Sequence, residues 1–510
     1  LGVVVLNYLI GCDLGTTATK VGLFDEEGNL ISFSRIKSDL IYGDDGSVTQ
    51  GPYQMLKSVV GGIREVVEKG KVNTKDIAVI CIDGQMAGIL GVDKNGEPVT
   101  PYDSWLDVRC SPYVEIMTER AGDLILERSG MVPSINHGPK ILWWRENHPE
   151  IYKKIFKFTV PSCWITQKLT GLSGEDTFLD YTYLHFSCFA NLEEKSWDRE
   201  ILDVFELDEN KLPNIVSPWN IVGKLKKEWA EMMLLVEGIP LSAGCGDQAA
   251  NILGAGIVER GMVFDVAGTA SCFSVLVDKF VPDIKHKTLL LPRSVIDGYY
   301  YPMAYINGGG LNLEWAREEF FKDITLDQFV AINQALEKVT NTNIVFIPHL
   351  KGRGCPNQPY LRGVFAGFSW EHKREHLFRA ILEGIAFEYL YYLNIIKELF
   401  PDMSFSEVRV IGGGAKSKIW NTIKASVLNI PYVELDREEC AIWGSAILGG
   451  YSIGLFDNLI EKAKNSVKII KRCYPDENLH LLYQRLFPLY KDTLEVMAEV
   501  FLKHKDLLEH

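Results

Sequence analysis

The order of apolar and polar positions predicts an antiparallel meander at the start of the chain. Apolar runs at residues 8–12, 21–24 and 30–33 are split by two polar turns, Asp13-Leu14-Gly15-Thr16-Thr17-Ala18-Thr19-Lys20 and Asp25-Glu26-Glu27-Gly28-Asn29. Residues 52–69 have helical apolar spacing, and the fully apolar run 77–82 predicts a buried strand ending at Asp83-Gly84-Gln85-Met86-Ala87-Gly88. A hairpin turn follows at Asp93-Lys94-Asn95-Gly96; residues 111–145 read as mostly helical, with Trp143 and Trp144 in the core. Residues 150–235 carry helices and short polar connections, without the composition shift of a linker. The opening pattern then returns: Val263-Phe264-Asp265-Val266-Ala267-Gly268-Thr269-Ala270-Ser271 leads into a second apolar run, 272–277. Two glycine runs, 308–310 and 412–414, each precede a predicted helix, from Leu313 and from Ser417. The last fifty residues read as terminal amphipathic helices.

The repetition gives these turns chemical meaning. A Gly-Thr turn presents backbone N–H groups and hydroxyls at one point, which is what phosphate oxygens require. In the first turn Thr16, Thr17 and Lys20 supply donors, and Asp13 at the strand end suits hydrated magnesium. One such hairpin is ordinary; two, half a chain apart, predict a duplicated two-lobed α/β fold with phosphate held in the cleft between lobes. Between them, Gly244-Cys245-Gly246-Asp247-Gln248 puts a carboxylate on a tight turn before a small-residue helix, a placement suited to proton transfer. Gln85 and Met86 fall at a strand's carboxyl end, where open sheets bind ligands. In Trp105-Leu106-Asp107-Val108-Arg109, a flat apolar face stands beside an acceptor and a fork of donors, a set that suits a polyol. Without β-carbons, residues 412–414 allow close approach of a base or ribose.

Composition narrows the function classes. The 510 residues exceed one hydrophobic core, and 47% apolar with 24% charged residues is globular. A formal charge of −14 argues against general binding to nucleic acid or anionic membranes. The ten cysteines form no C-x-x-C pair, so reduced buried thiols and a cytoplasmic soluble protein are expected. Residues 1–10 are apolar but too short to span a bilayer and have no basic flank. No Gly-x-x-x-x-Gly-Lys-Ser/Thr and no Gly-x-Gly-x-x-Gly after a strand occurs. His372-Lys373-Arg374-Glu375-His376 matches an inverted zinc-protease pattern but reads better as a solvated helix start.

From Ile10 to Leu455 the chain resembles the FGGY carbohydrate kinases, of the actin, hexokinase and heat-shock ATPase superfamily. The ordered motifs are Asp13-Leu14-Gly15-Thr16-Thr17, Gly84-Gln85-Met86, Trp105-Leu106-Asp107-Val108-Arg109, Pro139-Lys140-Ile141-Leu142-Trp143, Gly246-Asp247-Gln248-Ala249-Ala250 and Gly412-Gly413-Gly414-Ala415. A second signature runs from Gly363-Val364-Phe365-Ala366-Gly367-Phe368 through His376-Leu377 to Glu383, which accounts for the histidine decoy. The resemblance implies two RNase-H-like lobes about a central cleft and ATP- and Mg²⁺-dependent phosphorylation of a small sugar or polyol. It implies a first lobe of residues 8–255, a second of 256–455 and a C-terminal helical extension of 456–510. It makes Asp247 the general base and, with Asp13, a metal ligand. Thr16, Thr17, Lys20, Gly268 and Thr269 would line the phosphates, while Gly310, Gly413, Gly414 and Lys418 flank the adenosine. Gln85, Met86, Trp105, Asp107, Asn136, Asp247 and Gln248 would hold the sugar. The motif at Gly84-Gln85-Met86 is most similar to xylulose kinases, but Ala87 stands where those carry His. Glycerol kinases carry Arg-Glu at Met86-Ala87, which disfavours glycerol; ribulose, fuculose, erythritol and gluconate stand beside xylulose. A non-enzymatic actin-like or chaperone-type ATPase is the alternative of another class, and a homodimer is one assembly left open.

Overall fold

The computed structural model describes residues 7–325, 336 and 342–507. The opening meander forms as β1 (Tyr8–Leu14), β2 (Ala18–Asp25) and β3 (Leu30–Lys37). Helix α1 (Pro52–Gly70) follows; Pro52 stands in its first turn, and Lys71 closes it in a left-handed conformation with its N–H on the Val67 carbonyl. Its buried stripe of Met55, Leu56, Val59, Val60, Ile63, Val66 and Val67 recurs every three to four residues and packs against β2 and β3. Each such side chain contributes about 1.5–3 kcal/mol on burial. Next come β4 (Ile77–Gly84), α2 (Ser111–Ser129), α3 (His137–Asn147), β5 (Ile221–Lys224), β6 (Pro240–Ser242) and α4 (Asp247–Gly254).

The second half repeats the plan with β7 (Val263–Ala267), β8 (Ser271–Val275) and β9 (Met303–Ile306), then α5 (Gly309–Phe320) and α6 (Arg374–Leu399). It continues through β10 (Val408–Ile411), α7 (Lys418–Leu428), β11 (Tyr432–Leu435), α8 (Cys440–Ser452), β12 (Ile469–Cys473) and α9 (Glu477–Lys503). The two six-stranded sheets run β3-β2-β1-β4-β6-β5 and β9-β8-β7-β10-β11-β12. In each, an antiparallel meander adds two parallel strands and then an antiparallel edge strand. The predicted duplication is therefore present strand for strand, although the last two strands of the first sheet arrive in the reverse chain order.

Helix α8 follows the second sheet's β11 in the chain yet packs on β1 and β4 of the first sheet and against α4. Three glycines make this contact. A Cβ on Gly11 would lie 1.8 Å from the Ile442 carbonyl oxygen, one on Gly254 1.9 Å from that of Cys440, and one on Gly444 2.0 Å from that of Ala250. Backbones approach there as no side chain permits.

Several expectations shift. Residues 150–235 hold short strands as well as helices. The helix expected from Leu313 begins at Gly309. The C-terminal stretch is not wholly helical: residues 469–473 form β12, the edge of the second sheet. Of the apolar residues 1–10, residues 1–6 lie outside the described residues. Among the described residues no helix is long and apolar enough to cross a membrane.

Candidate active site

Three carboxylates at the end of the first sheet lie close enough for their charges to act on one another. Asp13 near the end of β1 stands directly opposite Asp83 near the end of β4, so both project to one face. Asp247 opens α4, held by the turn before it. The Gly246 N–H donates to Thr182 Oγ1 at 2.9 Å, and the Tyr183 hydroxyl donates to the Cys245 and Gly84 carbonyls at 2.9 and 3.1 Å. Gly244, at φ +80°, fits only without a side chain, because a Cβ would lie 2.0 Å from the Ile82 carbonyl oxygen. Asp83 is fully buried, Asp13 nearly so, and Asp247 is half-buried. Burial and then the neighbouring Asp13 charge push the Asp247 carboxyl up to about 7, against the Gln248 backbone N–H and Lys20, which pull it down. Burial, followed by Asp13, holds Asp83 well above the carboxylate range. Asp13 is raised too, by burial and by Glu439, with Lys20 opposing. The charge of Asp247 also reaches Cys272 on β8 and the buried Tyr301 of the second half, so this carboxylate stands between the two halves of the chain.

The two Gly-Thr turns carry the phosphate candidates. In the first, Thr16 Oγ1 accepts from Trp105 Nε1 at 2.9 Å and donates to Gln85 Oε1 at 3.2 Å, while Thr17 is exposed. Lys20 Nζ lies 3.5 Å from Asp13 and 2.7 Å from Glu439. In the second, the N–H groups of Gly310 and Leu311 donate to the Gly268 and Thr269 carbonyls at 2.9 and 3.2 Å, which fastens the turn to the start of α5. The glycine run packs on the same turn. Gly412 has φ +85°, a Cβ on it would lie 2.8 Å from the Ala267 carbonyl oxygen, and a Cβ on Gly310 would lie 2.4 Å from that of Gly268. A Cβ on Gly413 would meet nothing within 4 Å, and Lys418 is exposed at the start of α7. Gly268, Thr269, Gly310, Gly413 and Gly414 are thus gathered into one glycine-walled ledge. A cavity of about 110 Å³ beside it is lined by Gly412, Lys416, Asp436 and Arg437 among others.

The sugar candidates divide. Gln85, Trp105 and Thr16 form one hydrogen-bonded chain, extended by Gln85 Nε2 donating to Gln50 Oε1 at 2.8 Å. Trp105 keeps an exposed ring (41%), the open apolar face a sugar would stack on. Met86 is buried, with its carbonyl 2.7 Å from His137 Nε2, and Gln248 follows Asp247 on α4, half-buried. Asp107 and Asn136 are closed off. The Asp107 carboxylate takes Arg109 Nε and Nη2 at 3.0 and 2.7 Å and the Val48 N–H at 3.1 Å. Asn136 is occupied by Cys188 and Met131. As for the decoy, His372 bonds the Thr342 carbonyl and His376 caps α6.

Four residues of this cluster have no place among the sequence candidates: Asp83, Gln50, Glu439 and Ser445, whose hydroxyl bonds Asp83 Oδ2 at 2.5 Å. Asp83 carried a signal, standing at the end of an apolar strand as Asp13 does. Glu439 and Ser445 carried none, because their partners lie in the other half of the chain.

Two RNase-H-like lobes, each offering a Gly-Thr hairpin, with a raised carboxylate between them, define the actin- and hexokinase-like phosphotransferase class. Residues 8–254 match the N-terminal domain, and residues 264–453 the C-terminal domain, of the FGGY family of carbohydrate kinases, and the chain belongs to that family. It is 27% identical over 490 residues to the xylulose kinase of Bacillus subtilis, covering 96% of each chain, and 26% identical over 497 residues to the gluconokinase of Bacillus licheniformis, covering 95% of each. Among solved structures, the gluconate kinase of Lactobacillus acidophilus superposes with a TM-score of 0.90 at 25% identity, over 98% of this chain and 100% of that one. The ligand-bound xylulose kinase of the same organism gives 0.89 at 25% identity with the same coverage.

Proposed function

We propose that this carbohydrate kinase transfers the γ-phosphate of ATP to a hydroxyl of a small carbohydrate, with Asp247 as general base. The observation that carries the reading is Asp247 itself, a carboxylate raised to about 7 between the two hairpins. A base poised near neutral pH accepts a hydroxyl proton as the P–O bond forms, a contribution of about 10²–10⁴ in rate. The remaining barrier falls through alignment and charge neutralisation. Residues 8–255 supply the acceptor side and the first turn (Thr16, Thr17, Lys20). Residues 256–455 supply the second turn (Gly268, Thr269) and the ledge for the nucleoside (Gly310, Gly413, Gly414, Lys418).

The donor set fits magnesium carried in with the nucleotide. Mg²⁺ keeps several waters and takes one or two carboxylates besides phosphate oxygens. Asp13 and Asp247 are two such carboxylates, and among the described residues no group of three or more His, Cys, Asp or Glu side chains converges to make an all-protein cage. Asp13 and Asp247 would hold the ion, which when bound supplies charge neutralisation to the phosphates.

The deciding experiment measures ADP release with a panel of ketoses, polyols and aldonates. Release is expected to depend on the acceptor and to vanish in Asp247→Ala while nucleotide binding persists. Acceptor-independent release, unchanged in that variant, would leave the actin-like or chaperone-type ATPase reading standing instead. Relatives named for xylulose and for gluconate match almost equally, so the acceptor's chemistry has to come from the pocket.

A further inference from the structure

Building on the kinase reading, we propose that the acceptor is an uncharged ketose or polyol and that aldonates such as gluconate are rejected for their carboxylate. Every charge around the acceptor side is either negative or already matched. Asp13 and Asp83 stand opposite each other on β1 and β4, and Asp247 at the start of α4 lies within reach of their charges. Lys20 is the cation acting on Asp247, and it is shared between Asp13 and Glu439.

Deeper in, beside Trp105 and Asn136, two cations meet two acids. Arg109 is paired with Asp103 and Asp107, at 2.8 and 2.7 Å, and lies 4.1 Å above the Trp143 ring centroid. The buried Lys140 ammonium donates to the Asp107 carbonyl at 2.8 Å and lies 3.8 Å from Cys110 Sγ, and its charge acts on Asp103. That quartet is balanced. The guanidinium cannot turn to a ligand without stripping Asp103 and Asp107 of their partner, and the Lys140 ammonium is buried on the Asp107 carbonyl.

The histidines add no charge. Burial holds His137 down to about 4 and His185 to about 3, so both are neutral near pH 7. Ala87, half-buried next to Met86, brings neither charge nor donor. A carboxylate entering here would lose its water and meet like charge without a matching cation among the described residues. Hydroxyls and a ketone ask for nothing of the kind: the Trp105 face, Asp247 and Gln248 suffice.

The test compares D-gluconate with D-glucitol, which differ only in carboxylate against hydroxymethyl at C1, and with D-xylulose. Calorimetric binding and ADP release are measured in parallel. Gluconate is expected to bind at least 100-fold more weakly than the best neutral acceptor. Ala87→Arg, which adds a cation beside Met86, is expected to narrow that gap at least tenfold; a gap unchanged in this variant would count against charge as the cause. Gluconate bound as tightly as the best neutral acceptor overturns the proposal whatever happens to ADP. Neutral acceptors that bind without stimulating ADP release overturn the kinase reading alone and leave the charge preference standing.

Discussion

Asp13 and Asp265 occupy matching strands of matching sheets, each leading into a Gly-Thr turn, and the protein treats their charges in opposite ways. Asp13 faces a second acid, Asp83, across the strand pair, and its cation Lys20 is shared with a third, Glu439. Asp265 is fully buried and has a lysine to itself: Lys424 Nζ lies 2.5 Å away and 4.2 Å above the Trp420 ring, while the Tyr389 hydroxyl donates to the other carboxylate oxygen at 2.8 Å. One backbone device thus serves two ends. The first lobe keeps an excess of negative charge that folding alone would remove, because a buried, unmatched carboxylate is destabilising. The second lobe neutralises its acid internally. On the kinase reading proposed above, unmatched charge falls on the side of the general base and matched charge on the side of the nucleotide.

Substitutions separate the two. The largest effect is expected at Asp247→Ala, with kcat lowered about 10³-fold for loss of a general base and nucleotide affinity retained, as read by single-turnover phosphoryl transfer. Asp265→Asn should act on stability instead: stranding Lys424 costs about 3–5 kcal/mol in denaturant unfolding. Asp265→Val combined with Lys424→Leu should recover most of that loss, whereas Asp13→Asn should not lower stability. A destabilised Asp13→Asn would break the comparison. Next in size is the pH response. With Asp247 near 7 before the metal–nucleotide binds, kcat/KM for the Mg²⁺–nucleotide should fall about tenfold per unit below that value. Its stability effect has the opposite sign. The folded carboxyl is raised above an unfolded value of about 3.9, so the native state binds more protons between about 4 and 7, and stability declines as pH rises through that window. Asp247→Asn should remove this decline and melt higher than the parent at pH 8. Smallest is Trp105→Phe, which keeps the ring but loses the hydrogen bond to Thr16, worth about 1 kcal/mol, and should appear as a few-fold rise in acceptor KM.

What could be read from the chain was local. Both hairpins, Asp247 on its turn and the residue 412–414 run depend on neighbours within a few positions, and the repetition of Gly-Thr turned two ordinary motifs into one duplicated fold. What could not be read was pairing across sequence distance. Asp83 meets Ser445 362 positions away, and Asp265 meets Lys424 159 away. Only folding reveals which acids are matched. Asp107 and Arg109 sit two residues apart in a motif that suggests a polyol partner, yet the guanidinium folds back onto the carboxylate and closes it. Strand β12 is not legible in the sequence because it is a largely exposed edge, with Lys471 and Arg472 breaking the apolar run of a buried strand.

The crossing of α4 and α8 bears on how the protein tolerates change. Gly11, Gly254 and Gly444 are not among the candidate site residues, yet each presses on a carbonyl oxygen that not even a methyl group could share. In a survey of all single substitutions, these three positions should be as barren as Asp247, for a different reason. A variant at Asp247 would accumulate as an intact but inert protein; a variant at the glycines would fail to accumulate at all. Abundance measured beside turnover would therefore pick out the crossing as a second constrained centre of the molecule, one invisible to any assay of the reaction.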